Sequence, residues 1–287
     1  MTRRTSPTVR RRRLAAEMRK LRKEAGKTRE EAARYADIAP ATVSRIEAAA
    51  HAPKVADIMA LCRFYGLDEA HTEMLVTLAR QSRQRGWWQK VGEDAIPAWF
   101  ETYVGLEEEV AEIRSYQPEV IFGLLQTEDY ARAVLTADDT VGPAEGERRL
   151  EVRMRRQKLL EEPDRPKLWI IQNEGALRRH VGGVATMQQQ LKHLIDLSRQ
   201  PGITIQVLPF SAGAHPSMHG AFEILSFPER YDPDVVYIDY RRGSIYLENL
   251  DEVDDYTQLF DQLRARAISP DGSRALIGRI IQEMDAS

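Results

Sequence analysis

Apolar residues in the first 85 positions recur every three or four residues, in short blocks set apart by charged and turn-forming residues. Leu14, Met18, Leu21 and Ala25 share one helical face, and Gly26 follows as a stop. Thr28 and Glu31 form the Ser/Thr-x-x-Glu box that satisfies free amides at a helix start. The helix so begun, TREEAARYA, turns Ala32, Ala33 and Ala36 inward, and side chains this small let a neighbouring helix come close. After the break Asp37-Ile38-Ala39, Pro40 suits the first turn of a new helix, where its missing N–H costs nothing. That helix, PATVSRIEAAA, buries Val43 and Ile46. Pro53 opens a fourth helix and Asp68 a fifth, which runs to about Gln84.

Residues 86–100, GWWQKVGEDAIPAWF, hold three of the four tryptophans with two glycines and a proline, which predicts a packed junction. Residues 101–160 read mainly helical, broken at Pro118 and around Gly142-Pro143. The pattern then changes. KLWIIQ, ITIQVLPF, AFEILSF, DVVYIDY and SIYLE are β-branched or aromatic runs bounded by Gly, Pro and charged turns, and predict strands. Helices are predicted at TMQQQLKHLIDLSRQ, VDDYTQLFDQLRARAI and SRALIGRIIQEM. The expected architecture is multidomain. An all-α domain spans 1–85 with its core at 14–67, a junction spans 86–100, and an α+β domain with a largely antiparallel sheet spans 101–284.

A chain of 287 residues suits one large domain or two ordinary ones. With 43% hydrophobic and 30% charged residues, it can bury a core. No apolar run approaches the roughly 18 residues of a membrane span, and no apolar signal core follows the basic start, so no membrane partner and a cytoplasmic location are expected. The single cysteine, Cys62, excludes an internal disulfide and a multi-cysteine zinc site; its apolar surroundings predict a buried, inert thiol. The net charge of −3 hides a division. Residues 1–85 carry 19 Lys and Arg against 10 Asp and Glu, a net of +9, and the remainder carries 22 against 34, a net of −12. A basic block joined to an acidic remainder fits a nucleic-acid module attached to something else; a solvated basic helix face would give the same imbalance.

The pair TREEAARYA and PATVSRIEA, joined by a tight turn, has the lengths of a helix-turn-helix. In that motif the second helix enters the major groove of double-stranded DNA by its N-terminal part. With Val43 and Ile46 inward, Ala41, Thr42, Ser44 and Arg45 are left for the DNA. Arg45 is the candidate base reader, because a guanidinium bonds guanine O6 and N7 together. Thr42 suits a thymine methyl or a phosphate, and Arg29 a phosphate near the start of its helix. Arg10, Arg11, Arg12 and Arg13 suit a minor groove or phosphates, or else form a solubilising tail or fraying helix start.

Residues 14–67 resemble the XRE family, the Cro/repressor type of helix-turn-helix, most closely in TVSRIE at 42–47. The resemblance implies DNA contacts from Arg29, Pro40, Ala41 and Arg45, and a packing role for Glu47. The chain departs from the usual pattern in three places. Arg29 replaces glutamine, Asp37 stands at a turn glycine, and Ala39 stands where Ser or Thr caps the recognition helix, a loss of about 1 kcal/mol. Base readout is therefore expected to rest on Arg45, apolar contacts and DNA shape. Such factors bind as homodimers to half-sites about 34 Å apart.

Residues 101–284 resemble the antitoxin-like C-terminal domain of a class of actinobacterial XRE regulators, through YQPEVIFGLLQTEDYARAVL, RMRRQKLL, NEGALRRHVGG, ITIQVLPFSAGAHPSMHGAFEILSFP and DVVYIDY. Ile121-Phe122 and Asp239 depart from that pattern. The resemblance implies binding of a small partner protein, often encoded nearby, that alters DNA binding. No catalytic set emerges. His215 and His219 lie in a loop and could hold a metal with Glu223 or Asp239, but turn residues are the plainer reading. Glu174 reads as a helix-start carboxylate rather than an acid or base. Ser211 and Ser217 lack a nucleophile elbow, and neither GxGxxG nor a P-loop occurs. No enzyme, cofactor or metal is expected. Two other roles stay open: an antitoxin-like protein that mainly sequesters its partner, and a regulator with a metabolite-binding C-terminal domain.

Overall fold

The computed structural model describes residues 7–83, 86–92, 96–228 and 233–285. The chain divides into two compact units, Met1–Trp87 and Trp88–Ser287.

The first unit is built from α1 (Pro7–Glu24), α2 (Arg29–Tyr35), α3 (Pro40–Glu47), α4 (Val55–Tyr65) and α5 (Glu69–Gln81). Leu14, Met18, Ala32, Ala33, Val43 and Ile46 meet Ile58, Leu61, Leu75 and Val76 in one core. Cys62 is buried there, and burial pushes its thiol up to about 11, as an inert thiol requires. The Thr28–Glu31 box forms in full. The first four helices end alike: a residue in the left-handed region, followed by an amide that bonds back to a carbonyl of the last turn. Gly26 and Gly66 supply that residue after α1 and α4. Asp37 (φ 54°) and Ala49 (φ 54°) supply it on either side of α3, without the freedom of glycine.

Two boundaries differ from expectation. Pro53 does not open the fourth helix: Lys54 stays extended (φ −72°, ψ 140°) as its N-cap, and α4 starts at Val55. The fifth helix stops at Gln81, where Ser82 Oγ donates to the Ala79 carbonyl (2.8 Å) and competes with the helical ladder.

The second unit holds α6 (Ala98–Glu107), β1 (Glu112–Gln117), α7 (Glu128–Leu135), α8 (Pro143–Gln157), β2 (Lys167–Asn173), α9 (Glu174–Arg178) and α10 (Val184–Leu197). After these come β3 (Ile203–Leu208), β4 (Phe222–Ser226), β5 (Val235–Tyr240), β6 (Gly243–Leu247), α11 (Leu250–Arg266) and α12 (Pro270–Asp285). One sheet, in the order β3-β2-β1-β4-β5-β6, makes this an α+β unit. Three of its five pairings are antiparallel. The β1–β2 and β2–β3 pairings are parallel, because each of those connections crosses over through helices. On one sheet face Tyr116, Phe222, Ile224 and Val236 pack against Val253, Phe260 and Leu263 of α11.

Residues 101–160 are mainly helical, as expected, but they also hold β1, a strand the sequence did not announce. EIRSYQ runs through the middle of the sheet, between β2 and β4. It carries polar side chains that are buried and bonded: Ser115 Oγ to the Phe222 carbonyl (3.3 Å), and Gln117 Nε2 to Ser115 Oγ (2.9 Å). Opposite Ser115 lies Glu223, whose carboxylate accepts from Tyr103 Oη (2.6 Å). Arg156 closes this layer, bonding Glu107 through Nε (2.7 Å) and Nη2 (2.6 Å) beneath the Phe100 and Tyr103 rings.

Burial pushes the Glu223 carboxyl up to about 8, helped by Glu107 and Asp239, although the Tyr103 bond pulls the other way. The folded state therefore binds an extra proton, and this contribution to stability is lost as pH rises from about 4.3, the unfolded value, through about 8. Glu223→Gln keeps the acceptor for Tyr103 and removes the charge. The variant should be more stable than the parent by on the order of 5 kcal/mol at pH 9 and match it near pH 4. Urea unfolding followed by tryptophan fluorescence measures this directly.

Candidate nucleic-acid interface

The turn from Ala36 to Ala39 delivers α3 to the surface. Ala39 is the N-cap and makes no side-chain cap bond, and Pro40 takes the first helical position. Val43 and Ile46 face the core, while Pro40, Ala41 and Arg45 are exposed and Thr42 and Ser44 half-buried. Arg45 lies back along its own helix, with Nε donating to the Ala41 carbonyl (3.3 Å) and Nη2 to Thr42 Oγ1 (3.3 Å). Pro40, Ala41, Thr42, Ser44 and Arg45 thus occupy one short helical surface. Arg10, Arg11, Arg12 and Arg13 lie within α1 and are half-buried; of the basic start, residues 1–6 fall outside the described residues.

Glu47, at the end of α3, is only 1% exposed. Its Oε1 accepts from Arg22 Nε (2.5 Å) on α1, and its Oε2 from Arg22 Nη2 (3.1 Å) and from Arg29 Nε (2.9 Å) on α2. Arg19 donates to its backbone carbonyl. Burial raises the Glu47 carboxyl, but the bonds and charges of Arg22 and Arg29 outweigh this and hold it below its ordinary value. Arg29 is thus anchored through Nε, while its side chain remains 44% exposed.

Beside α3 lies a groove of about 420 Å³. Thr42 and Arg45 form one wall, and His51, Lys54, Asp57 and Arg83 complete it. His51, Lys54 and Arg83 were not among the sequence candidates. His51 and Lys54 come from the connection between α3 and α4 and Arg83 from beyond α5, and only the basic balance of the first 85 residues hinted at them.

In the second unit several of the side chains weighed for chemistry are engaged structurally, while Ser211 and His219 are exposed. His215 Nε2 meets Tyr116 Oη (3.2 Å), which also accepts from Asn173 Nδ2 (3.2 Å). Glu174 sits in the first turn of α9, with Oε1 on Arg178 Nε (2.7 Å) and Oε2 on the Phe210 amide (2.8 Å). Ser217 Oγ bonds the Gly220 carbonyl (3.0 Å). Among the described residues no group of three or more His, Cys, Asp or Glu could hold a metal ion, and no helix is long and apolar enough to cross a membrane.

A short helix, a tight turn and a second helix with an outward, uncapped start define a helix-turn-helix protein. Residues 13–75 match the family described as Helix-turn-helix domain, which supports a DNA-binding regulator. The chain belongs to the family described as Domain of unknown function (DUF5753), which matches residues 100–279. No curated protein and no solved structure matches the chain.

Removing Glu47 leaves Arg22 in a largely buried place without its counter-charge. Glu47→Ala should cost about 3 kcal/mol, read as faster amide hydrogen exchange across α1, α2 and α3. In the parent the contribution of Glu47 is present above about pH 4.3 and lost as pH falls through its lower folded value, so exchange in the same helices should quicken on acidification.

Proposed function

We propose that the protein is a sequence-specific transcriptional regulator of the XRE type that binds DNA as a homodimer, with α3 in the major groove. Its DNA-binding domain is residues 1–85, joined through 86–100 to a partner-binding domain at 101–284. The observation that carries this reading is the outward surface of α3, pinned at its far end by Glu47 and bordered by a basic groove. A guanidinium that rests only on its own helix, as Arg45 does, exchanges two long bonds (3.3 Å each) for a bidentate contact with a guanine edge. Pro40 and Ala41 let the DNA approach closely. Thr42 and Ser44 flank Arg45, while Arg29, Lys54 and Arg83 grip phosphates on either side. Arg10, Arg11, Arg12 and Arg13 add electrostatic attraction from α1.

The acidic second domain is read as antitoxin-like: it takes a small partner protein, encoded nearby, whose binding alters operator affinity. The resemblance of its sequence blocks supports this role.

Binding to the DNA upstream of the gene, with scrambled DNA as control and across a salt series, tests the reading. A preference of about 10³-fold or more is expected, and equal affinity for both DNAs would overturn operator recognition. Arg45→Ala should cost roughly 1–3 kcal/mol on the operator and relax preference at one base pair; an equal loss on every sequence would assign Arg45 to phosphate. Arg29→Ala should weaken binding to all DNA and reduce the salt slope by about 1, which a titration in sodium chloride reads out.

A further inference from the structure

The two edges of the sheet are finished differently. At β3 the Ile268 amide bonds the Val207 carbonyl (3.0 Å), and the Val207 amide bonds Ser273 Oγ (2.9 Å), so the segment leading into α12 covers that edge. At the other end β6 has β5 on one side and, among the described residues, no strand on the other; α6 lies over it, with Ser244 Oγ and Tyr246 Oη donating to the Trp99 carbonyl (3.3 Å each). An edge strand normally discourages pairing by being short, charged along its length or covered. β6 is short, five residues, but it carries no charge along its length and leaves Ile245 47% exposed, with Leu250 at the start of α11 74% exposed. Ile245 lies directly beside Ile238, on the sheet face that α11 covers farther in.

We propose that β6 pairs antiparallel with β6 of a second copy of this chain, about a two-fold axis at Ile245. Register and charge single out this arrangement. Tyr240 and Gly243 close a two-residue turn, so Gly243, Ile245 and Leu247 bond β5, and Ser244 and Tyr246 direct their backbone groups outward. Self-pairing that joins outward groups must be centred on Ser244, Ile245 or Tyr246. Only the centre at Ile245 sets Arg242 of each copy, at the end of the turn, opposite Glu248 of the other. Centring on Ser244 would oppose Arg242 to Tyr246, and centring on Tyr246 would oppose it to Leu250. Tyr246 and Glu248 keep the interactions they make within their own chain; a carboxylate accepts several donors, and Arg242 approaches from outside. Ile245 meets its own copy in a pair without backbone bonds, where side chains come closest. The two sheets then run on as one, with a closed two-fold interface and no exposed edge at β6.

This surface serves the homodimer proposed above and rests on that part of the reading. Sedimentation of the full chain across micromolar concentrations, with and without DNA, tests it together with three substitutions at two exposed positions. The parent should sediment as a dimer and Ile245→Lys as a monomer, since it sets two ammonium groups face to face. Ile245→Cys should oxidise to a linked dimer, because opposed Cα atoms in such a pair lie about 4.5 Å apart, within disulfide range. Tyr240→Cys should not link, because Tyr240 lies on β5 and both copies of β6 stand between it and its own copy. A parent that stays monomeric with and without DNA overturns both the dimer and this surface. A dimer that survives Ile245→Lys, with no link through Ile245→Cys, overturns the surface and leaves the dimer and the DNA reading intact.

Discussion

A carboxylate withdrawn from water must be met by positive charge and by donors for its lone pairs, and Glu47 meets this demand with arginines from two other helices. Because the arginines come from α1 and α2, satisfying one side chain fixes three helices against each other. The orientation of α3 then follows from charge geometry as well as from the packing of Val43 and Ile46. A helix held this way has little left to order when its outer surface is bound. Arg29 joins the two roles, with one edge on Glu47 and the other toward solvent.

The first unit was legible because its signals are local. A capping box, a proline at a helix start and apolar residues at helical spacing act within one turn of the residues they order, and α2 and α3 form where these signals place them. Asp37 adopts the left-handed conformation that its place at a turn glycine required. β1 was not legible. Its buried Ser115 and Gln117 break the alternation that marks a strand, and they are tolerated only because β4 brings the Phe222 carbonyl and Glu223 alongside. The candidate site divides in the same way. The exposed residues of α3 could be read from periodicity, whereas the charges on Glu47 and the groove residues His51, Lys54 and Arg83 depend on contacts between distant segments.

The second unit hides its polarity. The layer of Tyr103, Glu107, Arg156 and Glu223 lies between the sheet and the helices, and its members answer one another's hydrogen bonds. Side chains that might have suggested a reaction centre, His215 and Glu174 among them, instead tie loops and helix starts to strand ends.

The place of β1 at the sheet centre also sets an order in time. The helices of the first unit are all complete by Gln81. β1 is finished at Gln117, but its partners begin only at Lys167 and Phe222, so it must wait for most of the chain before either side is covered. During synthesis the DNA-facing unit is therefore folded while the centre of the sheet is still an unpaired strand, exposed to any other chain able to pair with it.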